Sequence, residues 1–215
     1  MSATANIEGL AGGDRRPAAK FQIVAFGSST GGPDALLSVL PHLAGRMPQP
    51  ILITQHMPAG FTASLARHIS QRCDVDAAEA VDGQRLSGGR VYVAPGGSHM
   101  ILERRGPGNV CVRLTQDPPE NFCRPAVDPM MRSVAALYGP AALAIILTGM
   151  GQDGLLGCRT LTAAGGTVIA QDQASSVVWG MPGAVANAGL CREVLPLDSI
   201  GPWVHAAANG RSVPR

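Results

Sequence analysis

A chain of 215 residues with 46% hydrophobic and 15% charged side chains, 27 Gly and 17 Pro is sized for one well-buried domain, and suits a sheet covered on both faces and joined by tight turns. The formal charge of +2 comes from scattered Lys and Arg, without the basic stripe and interleaved aromatics of a nucleic-acid-binding surface, so no nucleic-acid partner is expected. Five cysteines without a C-x-x-C pair suggest neither a disulfide framework nor a zinc site, and no run approaches the roughly 20 apolar residues of a membrane span, so the expectation is a cytoplasmic protein with reduced thiols and no membrane insertion.

Residues 1–20, "MSATANIEGLAGGDRRPAAK", are too poor in large apolar groups to offset the entropy of ordering them, and read as a flexible tail. The domain is expected over 21–210, with 211–215 as a short C-terminal tail. From residue 21, β-rich runs alternate with helical spacing: "FQIVAF" then 33–43, and "ILIT" then 58–70. The middle breaks that rhythm, because "GGRVYVAP", "SHMILERR" and "NVCVRLTQ" are short strands separated by Gly and Pro turns; they read as an antiparallel hairpin insertion or a sheet edge. Helical spacing returns over 125–138. "ALAIILT", a helix over 155–164 and "GTVIA" follow, and 197–209 closes the chain as a helix. This order predicts an α/β fold: a doubly wound, mainly parallel sheet with helices on both faces and an antiparallel hairpin at one edge, a three-layer αβα arrangement.

Functional groups in open α/β sheets gather beyond the carboxyl ends of the strands. After the first strand comes Gly27-Ser28-Ser29-Thr30-Gly31, a G-x-S-x-G turn between strand and helix. Such a turn presents its central hydroxyl, Ser29, and the following helix start offers N–H groups to an oxyanion. The competing reading is that Ser28, Ser29 or Thr30 caps the helix. A dinucleotide fold would require G-x-G-x-x-G here and an acidic residue ending the second strand; that strand ends instead in Gln55 and His56.

A strand-end histidine can take a proton from a hydroxyl on the neighbouring turn and return it to a leaving group. His56 is the candidate, with His99 in "APGGSHM" as its rival; His42 and His68 lie in predicted helices and His205 near the terminus. The third strand end is "IILTGMGQDGLLG", where Asp153 can orient the imidazole and stabilise the imidazolium. A cap on the helix beginning near Leu155 is the bland alternative for Asp153, and Asp128 and Asp172 are competing acids. Convergence of three strand ends selects Ser29, His56 and Asp153. Their chain order differs from the Ser-Asp-His order of α/β-hydrolases.

Over residues 22–190 the blocks "GSSTGGPDAL", "QHMPAGFTASLA", "VYVAPGGSHM", "CRPAVDPM", "ILTGMGQDG" and "AGGTVIAQDQASSVVWGMPGAV" resemble the catalytic domain of the chemotaxis protein-glutamate methylesterases, the CheB type. The resemblance implies a Ser-His-Asp triad falling on Ser29, His56 and Asp153, hydrolysis of glutamate methyl esters on the cytoplasmic helices of chemoreceptors, deamidation of receptor glutamines in many members, and no metal or organic cofactor. Two departures stand out. The family usually has Ala where this chain has Ser28, which sets a second hydroxyl beside the nucleophile. It also usually carries a phosphorylatable receiver domain ahead of the esterase domain, and residues 1–20 are too few to form one. The expectation is therefore a stand-alone catalytic domain, with control by a separate regulatory protein. Two other readings remain at this point: a catalytically lapsed module of the same fold that binds receptors or signalling proteins, and a nucleotide-binding protein, weakened by the missing acidic strand end.

Overall fold

Strand β1 (Ile23–Ser28) is buried at every one of its six residues, which requires cover on both faces. The computed structural model describes residues 21–43, 45 and 47–211; the tails expected at 1–20 and 211–215 lie, apart from Arg211, outside the described residues. β1 runs parallel to β2 (Ile51–Gln55) on one side and to β7 (Ala142–Ile146) on the other. Beyond β2 lie β4 (Arg90–Val93) and the edge strand β3 (Asp76–Glu79); beyond β7 lie β8 (Thr167–Gln171) and β9 (Glu193–Leu195). The order β3-β4-β2-β1-β7-β8-β9 is parallel throughout. Because the chain winds outward from β1 first toward β3 and then toward β9, the switch point of the sheet falls between β1 and β7.

Alternation along the strands divides the core in two. Val24, Phe26, Leu143 and Ile145 pack under α1 (Gly32–Val39), α2 (Phe61–Cys73) and α6 (Leu197–Ala208). Ile23, Ala25, Ala144 and Ile146 pack under α3 (Val127–Tyr138), α4 (Leu155–Ala163) and α5 (Met181–Asn187). Each fully buried side chain of the size of Phe26 or Ile145 contributes about 1.5–3 kcal/mol over its exposed state. The three layers agree with the sequence reading.

The middle segment resolves into two parts. "VYV" joins the main sheet as β4, parallel to both neighbours, instead of pairing with the strands that follow it. Those two, β5 (His99–Arg104) and β6 (Val110–Thr115), form the antiparallel hairpin as a sheet of their own, with Met100, Leu102 and Val112 in the same core cluster as Met130 and Val134 of α3. β3, whose sequence is DAAE, carries no β-branched or aromatic residue and was not anticipated. Neither was α5, only seven residues long, whose Pro182 is accommodated in the first turn but whose Gly183 disfavours a helix. All five cysteines are free, and no helix among the described residues is long and apolar enough to cross a membrane.

Candidate active site

Of the two adjacent serines, one has its hydroxyl engaged and the other does not. Ser28 ends β1 fully buried, and its Oγ donates to Gln55 Oε1 at 2.7 Å. The Gln55 Nε2 group in turn donates to the carbonyls of Ser29 at 2.8 Å and His56 at 3.2 Å, tying the ends of β1 and β2 together. Gly32 is required beside this pair, since a Cβ there would lie 2.0 Å from Gln55 Oε1. Ser29 is half-buried, and its hydroxyl has no hydrogen-bond partner among the described residues. Its N–H donates to Thr148 O at 3.0 Å. A Cβ on Gly149 would fall 2.8 Å from Ser29 Cβ, so the loop after β7 passes directly against Ser29. The capping alternative does not hold: the N-cap of α1 is Gly31, at φ 78°, with no side-chain cap.

His56 and Asp153 meet across the sheet. His56 Nε2 lies 2.7 Å from Asp153 Oδ2, and the His56 N–H donates to Ser28 O at 3.1 Å. Asp153 is 1% exposed. Its carboxylate also accepts from the N–H groups of Val127 at 2.6 Å, Asp128 at 3.1 Å and Gly154 at 2.9 Å, and from Asn121 Nδ2 at 3.0 Å. Burial by itself pushes this carboxyl up, but the hydrogen bonds from His56, Val127 and Asp128 outweigh it and hold it below its ordinary value. The first turn of α3 contributes two of those donors, a favourable place for negative charge. Asp153 is therefore an ionised acceptor, which assigns a donated proton to His56 Nε2 and leaves Nδ1 as the basic nitrogen.

The rivals have other work. His99 is buried at the start of β5, where its Nε2 donates to Pro118 O at 3.1 Å and its Nδ1 accepts from the Ala126 N–H at 3.1 Å. Asp128 accepts from the Gly157 N–H at 2.6 Å, joining α3 to α4; burial first, and then the neighbouring Asp153 charge, raise its carboxyl. Asp172 accepts from the Ser175 N–H at 3.0 Å in a local turn. His42 and His68 sit exposed on helical segments, and His205 lies on α6.

Two contacts come from residues that the sequence reading gave no individual role. Cys123 Sγ lies 3.4 Å from His56 Nδ1, and Asn121 Nδ2 bridges Asp153 Oδ1 and Asp128 Oδ2 at 3.0 Å each. Both belong to the loop entering α3, where periodicity has nothing to report. His56 and Cys123, with Met57, Pro58, Arg124 and Pro125, line a cavity of about 200 Å³. Among the described residues no group of three or more His, Cys, Asp or Glu is arranged to hold a metal ion.

Residues 24–204 match the family model of the CheB methylesterases. The chain belongs to this family. It is 60% identical over 191 residues to a protein-glutamate methylesterase/protein-glutamine glutaminase of Azospirillum brasilense, covering 88% of this chain and 48% of that one. It is likewise 60% identical over 190 residues to protein-glutamate methylesterase/protein-glutamine glutaminase 1 of Paramagnetospirillum magneticum, covering 88% and 50%. The crystal structure of the Thermotoga maritima CheB methylesterase catalytic domain superposes with a TM-score of 0.82 at 42% identity, over 84% of this chain and 95% of that one. The chain thus spans about half the length of the curated relatives it matches, and nearly all of the solved catalytic domain.

Proposed function

We propose that residues 21–210 form a serine carboxylesterase that hydrolyses glutamate methyl esters on the cytoplasmic helices of chemoreceptors, with Ser29 as nucleophile, His56 as general base and acid, and Asp153 orienting the imidazole. The observation that carries this reading is the 2.7 Å contact from His56 to the buried Asp153, on a strand end whose His56 carbonyl shares the Gln55 Nε2 donor with the carbonyl of Ser29. Membership of the CheB family and the activity for which its 60% identical relatives are named support the substrate class.

The chemistry follows from the protonation states. As Ser29 Oγ attacks the side-chain ester carbonyl, its proton passes to His56 Nδ1, and Asp153 stabilises the imidazolium through Nε2–H. The tetrahedral oxyanion forms beside the N-terminal turn of α1, a favourable place for negative charge; the Gly32 N–H there is already bonded to Ser29 O at 2.8 Å and Pro33 has none, so the donor that turn offers is the Asp34 N–H. His56 returns the proton to the departing methanol. Water, deprotonated by the same base, then attacks the acyl-enzyme, which restores the Ser29 hydroxyl and leaves the receptor with a glutamate side-chain carboxylate. An amide leaving as ammonia takes the same route, so glutamine deamidation is a second reaction of one site. No step calls on a metal or organic cofactor, and the setting is the cytoplasm, where the receptor helices meet the enzyme.

The test is methanol release from a methylated receptor fragment, with ammonia measured from its glutamine form. Release that disappears with Ser29→Ala supports the proposal. A folded chain that binds the fragment and releases neither product would favour a binding module that has lost its activity.

A further inference from the structure

The four-residue turn Glu120-Asn121-Phe122-Cys123 touches both members of the His56–Asp153 pair. The turn closes on itself, the Glu120 N–H donating to Cys123 O at 3.2 Å and the Cys123 N–H to Glu120 O at 2.9 Å. Asn121 and Phe122 hold φ values of 50° and 63°, a left-handed conformation that an L residue as large as phenylalanine adopts only when its surroundings compel it. Phe122 itself is fully exposed, so its own packing does not compel that shape. The anchors are on either side: Arg132 of α3 holds the Glu120 carboxylate through both terminal nitrogens, and Asn121 donates to Asp153 and Asp128. So braced, the turn presents Cys123 Sγ at 3.4 Å from His56 Nδ1.

That nitrogen is the one that must receive the Ser29 proton, because Nε2 is committed to Asp153. Burial, and then the Asp153 charge, push the Cys123 thiol up, so at neutral pH the sulfur keeps its proton and acts as a weak donor rather than a nucleophile. A weak donor suits the position. It fixes the ring between two partners, yet yields to a stronger hydroxyl donor when substrate brings Ser29 into play.

We infer that Cys123 is a positioning residue for His56, its thiol donating to Nδ1 in the resting site and giving way to the Ser29 hydroxyl during turnover, with the Glu120–Cys123 turn as its support. The inference rests on the proposed role of His56 as the base. The groups facing this contact are Asp153 and Asp128 through Asn121, and Arg132 through Glu120; Arg124 lines the same cavity.

The experiment compares kcat and KM of the 215-residue chain and its Cys123→Ser, Cys123→Ala and Cys123→Val variants toward p-nitrophenyl acetate, after thermal unfolding has verified that each is folded, with Ser29→Ala and His56→Ala alongside. Cys123→Ala and Cys123→Val should lower kcat about five-fold at unchanged KM, because an imidazole held through Nε2 alone spends less of its time aligned with Ser29, and Cys123→Ser, which restores a donor, should recover at least half of it. A packing role gives the reverse pattern, with Ala or Val retaining kcat and Ser no better, and overturns the inference. An inactive Cys123→Ala beside an active Ser29→Ala would make Cys123 the nucleophile, overturning the inference and the Ser29 assignment together. Nitrogen-15 spectra of His56 read the contact without turnover, so failure of the esterase reading is told apart from failure of this one. The Nδ1 resonance should move toward that of a free lone pair in Cys123→Ala and return in Cys123→Ser; a resonance that does not move contradicts the inference.

Discussion

The site is assembled from two kinds of structure that hold their residues by different means. On one side are the ends of β1, β2 and β7, placed by backbone ladders whose register runs unbroken from Val24↔Ile51 to Ser28↔Gln55 and from Ile23↔Ala142 to Gly27↔Ile146. On the other is the loop from Gln116 to Ala126, which is held mainly by side chains: Arg124 Nη1 donates to the carbonyls of Gln116 at 3.1 Å and Asp117 at 3.2 Å, His99 to that of Pro118, and Arg132 to Glu120. The ends of β1 and β2 supply Ser29 and His56, and the segment beyond β7 supplies Asp153. The loop supplies the contacts that orient them. A ladder resists displacement cooperatively, so a side-chain change at a strand end should alter chemistry while leaving the fold intact. Loop residues are held one hydrogen bond at a time, and their loss should give graded effects.

The sharpest way to break this contrast is at the strand ends themselves. Ser29→Ala and His56→Ala should each lower ester hydrolysis by about 10⁴-fold or more with a melting temperature close to the wild type, measured as methanol release and by thermal unfolding. Unfolding of either variant would deny the strand ends their independence from chemistry.

Asp153→Asn comes next, with an expected fall of about 10³-fold or more through a misoriented imidazole. It also carries a pH signature. The folded-state carboxyl lies below its ordinary value of 3.8, so its contribution to stability is present above that value and is lost as pH falls through the lower, folded one. Denaturant titrations should find wild type more stable than Asp153→Asn at pH 7, with the gap closing only in that acid range. A gap that widens on acidification would contradict the assigned ionisation.

Gln55→Leu sharpens the comparison within the strands, because Gln55 is a ladder residue whose side chain positions rather than reacts. Leaving the buried Ser28 hydroxyl without its acceptor should cost about 1–3 kcal/mol, and kcat should fall roughly ten-fold as the Ser29 and His56 backbones lose their shared donor. The smallest catalytic effect belongs to Ser28→Ala. It leaves Gln55 Oε1 without its donor, again about 1–3 kcal/mol of stability, while hydrolysis should stay within about two-fold of wild type because both Gln55 backbone clamps survive.

The same division explains what could be read from the sequence. Apolar runs such as "ILIT" and "ALAIILT" announce buried parallel strands, and the residue types that follow them, Ser29, His56 and Asp153, are those that hydrolysis needs; position and chemistry coincide in the chain. β3 has only DAAE because an edge strand buries little, and burial is what periodicity records. The Ser28–Gln55 bond was hidden for another reason: both residues were visible at strand ends, but the pairing depends on the β1–β2 register, which a single sequence does not state. Cys123 and Asn121 were the least legible. Their contacts depend on a left-handed turn at Asn121-Phe122 with no glycine to mark it. The one available hint was placement, a cysteine and an amide just ahead of the helix whose first N–H groups bind the acid.

Whether Ser29 or its buried neighbour attacks the ester is decided by methanol release from one methylated receptor fragment by the Ser29→Ala and Ser28→Ala variants side by side. Ser28→Ala should release methanol at close to the wild-type rate, and Ser29→Ala none above background. Equal release from the two variants, or release that follows Ser28, would contradict the Ser29 assignment.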